Sequence, residues 1–112
     1  MMDYEKLDVY RYSIEHLAFV LESIPRLPRG NASLADQWRR AAMAILLNIA
    51  EAVGKRSQPD RAASYTVARG EAMECGAIVD VVRLIARLPT DRLDQAKRQL
   101  ESIVAMLSRL SS

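Results

Sequence analysis

Residues 37–57 run Gln37-Trp38-Arg39-Arg40-Ala41-Ala42, then Ile45, then Asn48-Ile49-Ala50-Glu51, and close on Gly54, Arg56 and Ser57. An Arg pair and an Asn stand there on a helix whose apolar residues occupy more than one face. Projected at about 100° per residue, Leu34, Trp38, Ala41, Ile45, Ile49 and Ala52 form one stripe, and Met43, Leu47 and Ala50 fall nearly opposite. The first stripe predicts an inward face. The second needs a cover, because a lone bundle turns the outer face of each helix to water. We therefore expect a self-association surface on Met43, Leu47 and Ala50, extended by Phe19 and Val20 on the first helix and by Ile78 and Ile85 on the third.

The whole chain has 112 residues, one domain's worth, long enough to bury about two-thirds of its unfolded surface. It is 50% hydrophobic but only 5% aromatic, so Leu, Ile, Val, Ala and Met must do the packing, which suits helices better than a sandwich. The single cysteine, Cys75, has no intrachain disulfide partner, and the opening Met1-Met2-Asp3-Tyr4-Glu5 lacks the layout of a secretory signal, so a cytoplasmic protein is expected. The longest apolar run, Ala41 to Leu47, falls far short of the roughly 20 residues that cross a bilayer, and no membrane partner is expected.

Punctuation divides the single domain, residues 1–112, into helices at about 3–24, 34–53, 58–88 and 91–110. In the first, Leu7, Tyr10, Ile14, Leu17, Leu21 and Ile24 repeat at spacings of three and four and predict its inward seam. Pro25, Pro28, Gly30 and Asn31 end it, and Ser33 is expected to cap the second helix, which Gly54 stops. Ser57-Gln58-Pro59-Asp60 predicts the start of the third, with Ser57 as cap and Pro in the first turn. Tyr65, Ala68, Ala72, Cys75, Val79, Val82 and Ala86 form its core stripe. Beyond Pro89, Thr90 is expected to cap a last helix carrying Leu93, Leu100, Ile103, Leu107 and Leu110, with Ala96 and Val104 beside them. Four such helices on short loops predict an all-α, antiparallel up-down-up-down four-helix bundle.

Catalytic chemistry finds little material. A di-iron bundle requires paired Glu-x-x-His motifs, and the only histidine, His16, has Ser13 three residues before it. Zinc needs about four Cys or His ligands. Cys75 falls on a core stripe and is expected to be a buried small hydrophobe; His16 is expected at a solvated edge of the seam. Glu71 and Glu74 adjoin on one helix without an acid–base partner. The chain is therefore expected to be no enzyme and to hold no catalytic residue, metal or cofactor.

Net charge is only +2, yet Arg39, Arg40, Lys55, Arg56, Arg61 and Arg69 concentrate on the second helix, the turn after it and the start of the third, where acids are sparse. Repeated around an oligomer, such a patch is expected to hold RNA or DNA by its phosphates, with an affinity that weakens steeply in salt. No aromatic platform accompanies it, so recognition would read backbone shape and not sequence. The alternative is an assembly or protein-interaction scaffold whose charges serve solubility and subunit pairing. Asn48 lies at the edge of the core stripe, where an unpaired amide costs about 1–3 kcal/mol, and is expected to fix register against the first or third helix. Glu51 is expected to pair with an Arg of its own or the next subunit.

The block from Gln37 to Ser57, followed by Tyr65, Ala68-Arg69-Gly70 and Glu74, with Leu7, Tyr10 and Arg11 opening the first helix, resembles the bacterial four-helix bundle family named for proteins encoded in 23S ribosomal RNA intervening sequences. Ala52 and Glu71 stand where that family usually has Gly and Ser. The resemblance implies a ring-like homo-oligomer, a homopentamer above all, with Asn48, Glu51 and Gly70 as structural motif positions. It also implies kinship with the accessory protein of diversity-generating retroelements, and with it RNA or DNA and a nucleic-acid enzyme such as a reverse transcriptase as partners.

Overall fold

The computed structural model describes residues 1–112, and all its regular structure is helical. Helix α1 spans Asp8–Ser23, α2 Ala32–Gly54, α3 Gln58–Ile85 and α4 Thr90–Leu110. Short 3₁₀ turns, Asp3–Lys6 and Ile24–Arg26, flank α1. The first helix is thus shorter than expected, because Leu7 is extended (φ −81°, ψ 133°) and its carbonyl takes the first N–H groups of α1. Asp8 in that first turn holds Arg11 one turn on, a favourable place for a carboxylate.

Helix ends follow local chemistry, with some displacement from the expected caps. Ser57 caps α3 as expected, its hydroxyl accepting from the Asp60 N–H at 3.2 Å. Helix α2 starts earlier than Ser33, at Ala32, with Asn31 before it donating to the Pro28 carbonyl at 2.9 Å. Gly30, at φ +92°, makes the turn that leads in, a conformation only glycine adopts freely. Thr90 is the first residue of α4 and not its cap, which falls to Pro89. Helix α3 ends at Ile85, three residues short of expectation.

Helix α1 packs on α2 and α4, and α3 packs on α2 and α4, so the helices follow one another around a common core in chain order. Side-chain pairs stitch them: Arg92 to Glu22 at 3.0 Å and Gln99 to Glu15 at 3.4 Å join α4 to α1, and Lys97 to Asp80 at 2.6 Å and Arg83 to Asp94 at 2.9 Å join α3 to α4. The α2 stripe lies at the centre: Trp38, Ile45, Ile49 and Ala52 are wholly buried, and the Phe19 ring meets Trp38 edge-on at 6.0 Å. The predicted stripes of α3 and α4 are buried as well, from Tyr65 to Val82 and from Leu93 to Leu107, leaving Leu110 at the exposed end.

Helix α1 keeps part of its predicted seam: Leu7, Tyr10, Leu17 and Ile24 pack half-buried against the core. Ile14 and Leu21 are 43% and 49% exposed, while Val9, Ser13, His16, Val20 and Ser23 face inward. The fully buried residues lie one position before the predicted ones, so the inward face is centred to one side of the predicted seam, which packs at its edge. Two serines tolerate this because each hydroxyl donates to its own helix, Ser13 to the Val9 carbonyl and Ser23 to the Phe19 carbonyl, both at 2.7 Å. Small satisfied polar residues then let α1 approach closely while Val9, Phe19 and Val20 supply the apolar contact. His16 is carried inside with them, contrary to the solvated edge expected for it. Its two ring nitrogens have no partner, as is also true of the Trp38 indole N–H.

Burial lowers the His16 pKa from 6.5 to about 4. Between those values the unfolded chain takes up a proton that the folded chain refuses. The stability present above pH 6.5 is therefore lost as pH falls, by about 3 kcal/mol across the window. Urea unfolding of the wild type and of His16→Leu at pH 7 and pH 5 checks this: the drop should be smaller by about 2 kcal/mol in the variant.

Candidate interaction surfaces

Each cation singled out in the sequence has a definite neighbour or none. Arg39 and Arg40 share Asp36, the first closely and the second at 3.5 Å, and Lys55 reaches Glu51 at 3.4 Å. The acids of α2 are few, Asp36 and Glu51, but each stands three or four residues from a cation, spacings that were present in the sequence. Arg69 donates through Nε to Ser108 Oγ at 2.8 Å, tying α3 to α4. Arg61 donates to the carbonyls of Lys55 and Arg56 at 3.2 and 3.0 Å, where it closes the α2–α3 turn. Arg56 alone of the six has no side-chain partner. Lys55, Arg56 and Arg61 thus meet at one turn, with Arg39, Arg40 and Arg69 apart from them.

The motif residues act within their own helices. Asn48 donates to the Ala44 carbonyl at 2.8 Å and not to another helix, so its amide sets no register in this chain. Within its own chain Glu51 takes Lys55 and no arginine. Gly70 lies exposed in mid-helix, and a Cβ built there would meet nothing within 4 Å. A helix-interior glycine without a packing reason weakens the helix by about 1 kcal/mol relative to alanine.

Apolar residues sort by helix. Met43 and Leu47 are 40% and 56% exposed on α2, and Ala50 is half-buried beside them. Phe19 and Val20 do not belong to this surface: they are 9% and 0% exposed, inside the core, because α1 is rotated from the predicted setting. Ile78 is buried too, whereas Ile85 is exposed. In place of Phe19 and Val20 the rotation turns out Ile14 and Leu21, on the flank of α1 away from the Glu15 and Glu22 edge that meets α4. The sequence held this signal as the apolar seam itself, assigned to the wrong side. Helix α4 exposes no large apolar side chain except Leu110 at its last turn.

Between α2 and α3 lies a polar hollow of about 520 Å³ that Asp36, Arg40, Glu71 and Glu74 share. Burial and then the neighbouring Glu74 hold the Glu71 carboxyl above the usual range. Cys75 is wholly buried, its thiol pushed up to about 12 by burial first and by Glu74 and Glu71 next, which keeps the nucleophilic thiolate from forming near neutral pH. No three His, Cys, Asp or Glu side chains gather into a metal-holding group. No helix is long and apolar enough to cross a membrane.

The sequence pattern of the 23S rRNA-intervening sequence proteins matches residues 5–109, nearly the whole bundle. The chain belongs to that family. A crystal structure of a protein of unknown function from the S23 ribosomal protein family of Bacteroides thetaiotaomicron has the same fold, with a TM-score of 0.83 and 18% identity over 93% of this chain and 98% of that one. No curated protein matches the sequence. The family placement agrees with the four-helix architecture.

Two substitutions check the motif assignments in chemical denaturation. Gly70→Ala should raise stability by about 1 kcal/mol, since a methyl group enters open space on a helix. Asn48→Ala should change it by less than about 1 kcal/mol, because the lost hydrogen bond is local and alanine is the better helix former.

Proposed function

We propose that the chain is a non-catalytic, self-associating bundle whose four helices alternate up and down and whose copies close into a ring. The alternation is supported by the cross-helix pairs: from Glu15 to Glu22 on α1 the partner on α4 falls from Gln99 to Arg92, and from Arg69 to Asp80 on α3 it falls from Ser108 to Lys97.

One observation carries the self-association. Ile14 and Leu21 on α1 and Met43 and Leu47 on α2 stand 40% to 56% exposed on adjacent helices, whereas the outer face of α4 is polar. Single exposed apolar residues are ordinary, but four on two neighbouring helices, with Val67, Met73, Val81, Leu84 and Ile85 also exposed on α3, support a contact surface. Five copies is the number that the family resemblance favours.

Light scattering on the purified protein should give a mass near five times the 12.6 kDa of the chain. Leu47→Asp should reduce it to one chain with helicity unchanged. A single-chain mass for the wild type at high micromolar concentration would falsify self-association.

Lys55, Arg56 and Arg61 favour a second function, binding of RNA or DNA backbone at the α2–α3 turn. There Arg56 has no carboxylate neighbour, and a ring would present the turn once per copy. Binding of this kind grows with each phosphate contacted and falls linearly in log–log plots against salt. A filter-binding titration with a generic single-stranded RNA should show measurable affinity at low salt and a shallower slope in Arg56→Glu. No retention at low salt excludes this function and leaves the assembly intact.

A further inference from the structure

We infer that the end of the bundle where the α1–α2 and α3–α4 loops meet is a binding site for a compact polyphosphate anion.

The two loops open on nearly the same sequence, Ile24-Pro25-Arg26-Leu27-Pro28 and Ile85-Ala86-Arg87-Leu88-Pro89. In both, the leucine is half-buried against the core, and the arginine before it and the proline after it are exposed. Proline restricts the residue before it to extended backbone, which Leu27 adopts at φ −68° and ψ 142°. Each arginine is thus carried between the end of a helix and an anchored leucine, so its backbone is in place before any ligand arrives.

The two loops share one hollow. Phe19, Glu22 and Arg26 line it from the side of α1, and Leu88, Pro89 and Arg92 from the side of α4, around a space of about 370 Å³. Small-ligand sites run from roughly 300 to 1,000 Å³. Arg92 is held there twice, bonding Glu22 at 3.0 Å and setting its guanidinium 5.6 Å from the centre of the Phe19 ring.

Charge at this end is unbalanced. From Glu22 to Asn31 and from Ile85 to Arg92 the charged residues are Arg26, Arg29, Arg87 and Arg92 against Glu22 and Asp91. Arg92 pairs with Glu22, and Arg26, Arg29 and Arg87 form no salt bridge. The surplus of two positive charges equals the formal net charge of the whole chain, +2, so the rest of the molecule sums to zero.

Arginine selects the chemistry of the ligand. Its planar fork bonds two oxygens of one phosphate at once, and a surplus of more than one charge suits an anion that carries more than one. A lone carboxylate would leave part of the surplus unmatched. These cations gather at one end of a 45 × 26 × 24 Å bundle and not in a stripe along it, which favours a compact anion over the backbone of a long polymer. The turn that carries Arg56 is the length of α2 away, roughly 35 Å, so the two sites are separate.

Calorimetric titration of the full chain with sodium tripolyphosphate at low salt and pH 7 tests this. The wild type should bind saturably, one anion per chain. Arg26→Gln with Arg87→Gln should weaken binding by about tenfold or more, the scale set by losing hydrogen bonds to a charged group. Arg109→Glu changes the net charge by the same amount at the far end of α4 and should leave binding as it is. Arg26→Lys with Arg87→Lys keeps the charge, loses the fork and should fall between, with circular dichroism confirming that each chain is folded. The site is overturned by any of three results: no saturable heat from the wild type, equal weakening in Arg109→Glu, or the same heat from sodium sulfate at matched ionic strength. Single-stranded RNA that binds through Arg26 and Arg87 where tripolyphosphate does not would assign this end to a polymer and overturn the compact anion.

Discussion

A helix in a four-helix bundle can turn about one face inward, and α2 carries apolar side chains on two. Its inner face, Trp38, Ala41, Ile45, Ile49 and Ala52, is the middle of the core, reached by Phe19 from α1 and flanked by the stripe of α3. That burial fixes which way α2 faces. Because the inner face must satisfy the core, Met43 and Leu47 have no place to go but outward. The surface chemistry of the molecule follows from a packing demand made at its centre.

Helix α1 reaches a similar division by a different route. It buries Ser13, His16 and Ser23 with Val9 and Val20, and turns Ile14 and Leu21 out. The hydroxyls cost little because each finds a carbonyl one turn back in its own helix. His16 has no such recourse, and burial without a partner holds it neutral well below its ordinary range. With three polar residues buried, α1 is the most polar contributor to the core, and Tyr10, Leu17 and Ile24 pack half-buried at the edge of that face. Helix α4 is the contrast: its buried line of leucines and Ile103 is complete, and its outer face is charged and wet.

The cations illustrate how a count of charges differs from a surface. Arg39, Arg40 and Lys55 have carboxylates one turn away, Arg61 closes a turn on backbone carbonyls, and Arg69 ties α3 to Ser108. Exposed pairs of this sort contribute little to stability, on the order of 0–1 kcal/mol each, but they reduce the charge offered to a polyanion. Of the six cations at these positions, Arg56 alone has no side-chain partner.

Much of the fold was legible in the residues alone. Apolar spacing placed four helices, named the buried stripes of α2, α3 and α4, and identified Cys75 as core and Ser57 as a cap, because each of these depends on local geometry and on a single dominant apolar face. The outward position of Met43 and Leu47 followed from the same projection. The setting of α1 did not, since two sets of residues one position apart share one period, and letters alone cannot tell that a serine bonded to its own helix packs as well as a leucine. Nor could the sequence reveal which carboxylate each cation finds across helices, Asp80 for Lys97 and Glu22 for Arg92, which depends on how α4 meets its neighbours. Periodicity determines which residues share a face; only the packed neighbours decide which face goes in, because burial is a property of pairs of helices and not of one.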